Sequence, residues 1–343
     1  MNQKIKEKKI DYGLSILRSV LAFYVIRSHC LGNNIIKNKF LFFIFGKRRR
    51  VHVPTFFIMS FYFNFKALSS INSKIISKRF ERLLIPYIFW PIIVFSINNI
   101  ISKYFGFNLK CSFKTLIIQL IFGFGIISPL YFQFCLIITT FLFLFVLYLF
   151  KNYYLCILNL LMMFAYFLQY SKYLSNAFSQ YKLEFHYSID RELELIPYAI
   201  TGLNLKAFNI INNLKQFQLQ TFIFSLIIFF FVDNFDVISV VNDYYSGIKL
   251  NVLSINLILI FSSLFPSEIF QNKYIKYFVE YITRYTAGIY YLHIPIYSYF
   301  SKYIISMKKG TIGGLFMIYI ISYSICHLGM LLSGKTKARN LFS

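Results

Sequence analysis

The chain has 343 residues, of which 58% are apolar, 21% aromatic and only 14% charged. Soluble domains carry roughly 45–50% apolar and about 25% charged residues, so this composition excludes an ordinary soluble globule. A net charge of +24 would suit nucleic acid in a soluble protein. Here the lysines and arginines fall between apolar blocks, without an RNA-binding or zinc-finger pattern, so membrane lipid headgroups are the expected partner and nucleic acid is not.

The apolar residues come in blocks of about 14–22, near the ~20 that a helix needs to cross a hydrocarbon core. They predict an all-α, polytopic transmembrane bundle, read as one integral membrane domain over residues 1–343 with no appended soluble domain. Ten spans are placed near 13–31, 53–67, 83–102, 129–150, 153–171, 194–208, 218–232, 250–265, 286–305 and 313–332. Lys4, Lys6, Lys8 and Lys9 precede the first span, and no small-residue cleavage site follows it, so it reads as a retained helix.

A further apolar stretch, 116–127, holds Gly123 and Gly125. Twelve residues give about 18 Å, short of the ~30 Å core, so the stretch is read as a half-helix or re-entrant segment. The longest polar segments, 172–193 and 233–249, are too short for a separate catalytic domain. With ten spans, both termini face the cytoplasm of a cell (inner) membrane. Basic residues divide almost evenly between the two sides, because Lys47-Arg48-Arg49-Arg50 falls outside, against the positive-inside tendency. Glu184, Asp190, Glu192, Glu194, Asp233, Asp236 and Asp243 also fall outside. The five cysteines are scattered without a CxxC, which indicates neither a disulfide framework nor a metal site.

Two residues of the first span stand out. A charge inside a membrane helix costs at least ~2.5–3.5 kcal/mol on insertion scales, yet Arg18 lies there with His29 eleven residues on. Eleven steps of ~100° return a side chain to within about 20° of its starting direction, so the two share a face about 16 Å apart. A lone histidine at a helix end is ordinarily a headgroup-level side chain bound to water. A neutral imidazole can also act as a general base toward a hydroxyl. Arg27, about 200° round the helix from His29, reads as snorkelling to the interface.

Arg79 and Arg82 stand three apart before the third span, so on a helix they share a face. Positive-inside topology alone accounts for basic residues there, and Lys74 and Lys78 fit it. A pair of guanidinium forks is also suited to phosphate. In the ninth span Tyr291, Leu292 and His293 precede Pro295, which frees a backbone carbonyl. Phe56-Phe57-Ile58-Met59-Ser60 lies in a helix that starts near Pro54.

Taken together these motifs form an ordered set: Arg-X10-His, Phe-Phe-X-X-Ser, Arg-X-X-Arg, Pro129-Leu130-Tyr131-Phe132 and Tyr-Leu-His. In that order the chain resembles the acyltransferase-3 family of integral membrane acyltransferases over essentially its whole length. The resemblance implies an O-acyltransferase, most simply an O-acetyltransferase, of a cell-envelope polysaccharide or its lipid-linked precursor. Acyl-CoA, chiefly acetyl-CoA, is then a co-substrate from the cytoplasm and the glycan is the acceptor. No permanently bound cofactor or metal is expected, and glycan-assembly proteins are candidate partners.

Residue by residue, Arg18 and His29 match the family's first-span pair, and Arg79 and Arg82 its cytoplasmic pair. Ser60, Tyr291 and His293 match supporting or substrate-binding motif positions. His29 would activate the acceptor hydroxyl or carry the acyl group as an acyl-histidine. Arg79 and Arg82 would hold the donor's phosphates. Phe61 departs from the family's usual Gly after Ser60, and Tyr131 stands where Trp is common. The competing reading is a glycan or lipid-linked sugar transporter or flippase. Such proteins often show paired broken segments in two related halves, and no such halves are visible here.

Overall fold

The computed structural model describes residues 11–30, 51–105, 111–123, 130–174, 184–234, 247–266, 270, 272–303 and 312–333. Among them the chain is all helical, with no strand. In chain order the helices are α1 (Tyr12–Cys30), α2 (His52–Ser69), α3 (Ser73–Phe105), α4 (Phe113–Phe122), α5 (Leu130–Phe150), α6 (Tyr154–Leu174), α7 (Glu184–Ala207), α8 (Ile210–Leu214), α9 (Gln218–Asn234), α10 (Ile248–Leu264), α11 (Lys273–Thr283), α12 (Thr286–Tyr303) and α13 (Ile312–Ser333). A helix stands at each of the ten stretches read as spans; α4, α8 and α11 are additional. By length and composition, four stretches can cross a membrane: Ser73–Tyr104, Leu130–Gln169, Ile210–Asn234 and Gly313–Ser333. Their outward faces are apolar, with Phe141, Phe145, Phe164, Phe224 and Leu328 all more than half exposed. That is the surface of a protein whose solvent is lipid.

Leu130–Gln169 is not one rod. Phe143 and Tyr154 would lie about 16 Å apart along a continuous helix, yet their ring centroids are 5.9 Å apart. Lys151, with φ +39°, turns the chain back between α5 and α6. α4 ends at Gly123, whose φ of +81° is the left-handed cap that glycine adopts without strain. The Gly123 N–H bonds the Gln119 carbonyl at 3.0 Å, and the Tyr87 hydroxyl donates to the carbonyls of Gln119 and Leu120 at 2.8 and 3.0 Å, which satisfies the helix end. Ten residues rise only about 15 Å, in keeping with a half-helix at 113–122; residues 124–127 of that segment lie outside the described residues.

Where it is described, the polar segment 172–193 is helical. α6 continues to Leu174 and α7 begins at Glu184, so Glu184, Asp190, Glu192 and Glu194 sit in a helix. Glu192 is half-buried, and Glu194 is only 9% exposed. A polar partner makes this tolerable: the Thr139 hydroxyl on α5 donates to Glu192 Oε1. Further along α7, Pro197 removes the donor that would have bonded the Leu193 carbonyl. Gln169 Nε2 on α6 bonds that carbonyl at 2.9 Å, as an apolar surrounding requires. Asn204 donates to Asn159 at 2.7 Å, and Asn251 donates to Tyr166 and Thr201 at 2.7 and 2.8 Å, tying α6, α7 and α10 together.

Two contacts set how closely helices approach. A Cβ added to Gly202 on α7 would sit 2.2 Å from the Ile58 carbonyl oxygen on α2; one added to Gly13 would sit 2.4 Å from that of Phe261 on α10. One apolar cluster packs α2, α5 and α7 around Phe57, Phe61, Phe143 and Tyr198. A second packs α3, α12 and α13 around Tyr87, Trp90, Ile289 and Leu315. α1 contributes to both, with Leu17 and Leu21 in the first and Val25 and Ile26 in the second. Its start is fixed by the Asp11–Lys215 ion pair at 3.0 Å and by the Tyr12 hydroxyl donating to Glu280 at 3.2 Å.

Candidate active site

His29, the penultimate residue of α1, is exposed, and the ring of His293 on α12 lies 5.3 Å away, centroid to centroid, at 44°. His293 is fully buried. Its Nδ1 faces the Ile289 carbonyl of its own helix at 3.3 Å. A carbonyl only accepts, so Nδ1 carries the hydrogen and Nε2 presents a lone pair. That Nε2 has no hydrogen-bond partner among the described residues. Beside the pair is a cluster of tilted and edge-on aromatic rings: Tyr290 lies 6.0 Å from His293, 5.4 Å from Phe132 and 6.3 Å from Phe56.

His52 is a third imidazole at this end, one that the motifs did not single out. It is the first residue of α2 and only 3% exposed. Phe56, one turn on, faces Tyr290, and His293 lies one turn beyond Tyr290 on α12. His29 and His52 are both within electrostatic reach of His293. The available signal was Pro54, which marks a helix start and so makes His52 a helix residue rather than the end of a loop. No group of three or more His, Cys, Asp or Glu among the described residues is arranged to hold a metal ion.

A second polar centre lies about 12 Å along α2 from His52, at Ser60. Arg79 Nε and Nη2 donate to Thr140 Oγ1 at 3.1 and 3.0 Å, and Nη1 to Ser60 Oγ at 3.5 Å. The guanidinium carbon stands 4.9 Å from the centroid of the Phe61 ring. Thr140 spends its own hydrogen on the Leu136 carbonyl at 2.6 Å, which turns its lone pairs to the arginine. Arg79 is 7% exposed, and all these partners are neutral. Arg82, one turn on, is exposed, so the two arginines do not share an environment.

Of the other expected residues, Arg18 is half-buried in mid-α1, with no hydrogen bond or ion pair among the described residues. Tyr291 is 8% exposed beside Tyr290. Arg27 corrects the snorkelling expectation: at 5% exposed it packs inside the bundle. The fold therefore joins His29 with His293, and Ser60 with Arg79. Phe61 and Thr140 complete the second centre, and neither was singled out as a site residue. The Lys47–Arg50 run lies outside the described residues.

No curated protein and no solved structure matches the chain. A family model described as an acyltransferase domain matches residues 11–330. That is nearly the full length and includes both polar centres, and the chain belongs to the acyltransferase-3 family of membrane acyltransferases.

Proposed function

We propose that the chain is a cell-membrane O-acyltransferase that moves an acyl group, most simply acetyl, from acyl-CoA to a sugar hydroxyl of a surface polysaccharide or its lipid-linked precursor. The observation that carries this reading is the imidazole of the exposed His29 backed by a buried partner imidazole, on the same helix as Arg18. Family membership favours a transferase over a transporter. In this reading the ten apolar helices cross the membrane with both termini cytoplasmic.

His29 takes the proton of the acceptor hydroxyl as its oxygen bonds to the thioester carbonyl carbon. Negative charge develops on the carbonyl oxygen; Arg18, about 16 Å from His29 along α1, is too far to bond that oxygen and lines the route through the core instead. The carbon–sulfur bond then breaks, and the proton passes from His29 to the departing thiolate, leaving a sugar ester and free CoA. Arg79 has neutral partners only among the described residues, which suits a cation that receives an anionic group of the donor, with the exposed Arg82 adding a second cation. The roughly 12 Å of α2 between Ser60 and His52 suits an extended donor arm, with phosphates at one end and thioester at the other.

The test supplies labelled acetyl-CoA to membranes carrying the chain and measures ester-linked label on the envelope glycan. His29→Ala should abolish labelling at matched expression, and Arg79→Ala should raise the donor concentration needed. Normal labelling by His29→Ala overturns the reading.

A further inference from the structure

The bare Nε2 of His293 has no task in the steps above. A buried acceptor with no hydrogen-bond partner is uncommon and requires explanation, and this one cannot be relieved from its own helix. Nδ1 already faces the Ile289 carbonyl, so Nε2, on the other side of the ring, points away from the α12 backbone. The neighbouring ring is that of His29, 5.3 Å away. His29 is on the open side and His293 on the closed side, with Tyr290 beside it.

We infer that His29 and His293 together form a two-point subsite for a vicinal diol: His29 receives the proton of the hydroxyl that is acylated, and His293 Nε2 accepts a hydrogen bond from the neighbouring hydroxyl. This rests on the acyl-transfer reading and deepens it by naming the acceptor class. Two imidazoles at this spacing offer two nitrogens to one ligand. A lone hydroxyl satisfies one of them, whereas adjacent ring hydroxyls, about one hydrogen-bond length apart, satisfy both. A sugar lacking the second hydroxyl leaves Nε2 buried and unpaired, which is how a polar site rejects a deoxy analogue. His293 is thus a binding residue that selects and orients the acceptor, and His29 does the chemistry.

The test uses the purified full chain with acetyl-CoA and a panel of methyl hexopyranosides and their single-deoxy counterparts. Both thiol release and sugar ester are measured. Diol acceptors should be used about 10-fold or more better in kcat/KM than analogues lacking the hydroxyl beside the acylated one. His293→Phe, which keeps a ring but removes the acceptor nitrogen, should bring that ratio near one. The ratio is taken within one preparation, so a partly unfolded variant still reports it. Equal use of diol and deoxy sugars by the unmodified chain, thiol release that no diol accelerates over water, or an unchanged ratio in His293→Phe overturns the inference alone. Absence of thiol release altogether overturns the acyl-transfer reading beneath it.

Discussion

The guanidinium of Arg79 lies over the ring of Phe61, 4.9 Å from carbon to centroid. Phe61 is fully buried. An aromatic face attracts a cation without cancelling its charge. With Thr140 and Ser60 as its other partners, Arg79 is held firmly and stays available to an anion.

Replacing the ring tests this arrangement. Phe61→Leu keeps an apolar side chain but removes the negative face, a loss of about 0.5–2 kcal/mol in positioning the cation. The expected result is a KM for acyl-CoA raised several-fold with kcat little changed. Phe61→Gly empties a packed site. Large-to-small core changes of this kind cost about 3–5 kcal/mol, so the variant should lose thermal stability before it reports on binding.

The two arginines should respond differently to a conservative change. Arg79 uses three nitrogens in a fixed fork, which a lysine ammonium cannot reproduce. Arg79→Lys should raise the KM for acyl-CoA about 10-fold or more, in line with the loss of charge-assisted hydrogen bonds. Arg82 is exposed, so Arg82→Lys keeps its charge and should change KM less than about three-fold. Equal effects in steady-state kinetics would mean that burial does not distinguish them.

Helix positions were legible because apolar length is a one-dimensional property, and each of the ten apolar stretches holds a helix. Side-chain environment was less legible. Arg27 looked like an interface residue from its angle on α1, but only the packed neighbours show that it is buried. Glu192 read as an acid outside the membrane because its partner, Thr139, is 53 residues away. His29 and His293 were each visible as polar groups in apolar runs. Their pairing was not, because it depends on how α1 and α12 pack. Phe61 was noticed as a departure, but its purpose appears only with Arg79 above it.

The α2–α7 seam gives a third prediction. The Cβ of Gly202→Ala would meet backbone oxygen at 2.2 Å, and Ile58 cannot swing that atom aside as it could a side chain. Small residues let membrane helices approach this closely, so the helices must separate. The expected cost is about 1–3 kcal/mol, typical of overpacking, read as a lower midpoint in a detergent thermal-melt assay. Because α2 carries His52 and Ser60, activity should fall before the fold is lost. An unchanged midpoint would show that the seam has slack.

The orientation is tested at the α5–α6 turn. Leu130–Gln169 taken as a single helix would extend about 60 Å, twice a hydrocarbon core, but the Phe143–Tyr154 contact folds it back on itself. Lys151, Asn152 and Tyr153 are exposed at the reversal, so the turn must sit at a membrane face, where Lys151 can reach water or headgroups. With both termini cytoplasmic, as proposed above, that face is the inner one. Asn152→Cys, in a chain with its native cysteines replaced, should react with a membrane-impermeant thiol reagent in inside-out vesicles and stay unreacted in intact cells. Labelling from the outside would invert every helix. The His29 end would then face the cytoplasm, and the acceptor sugar would have to be acylated before export instead of after it.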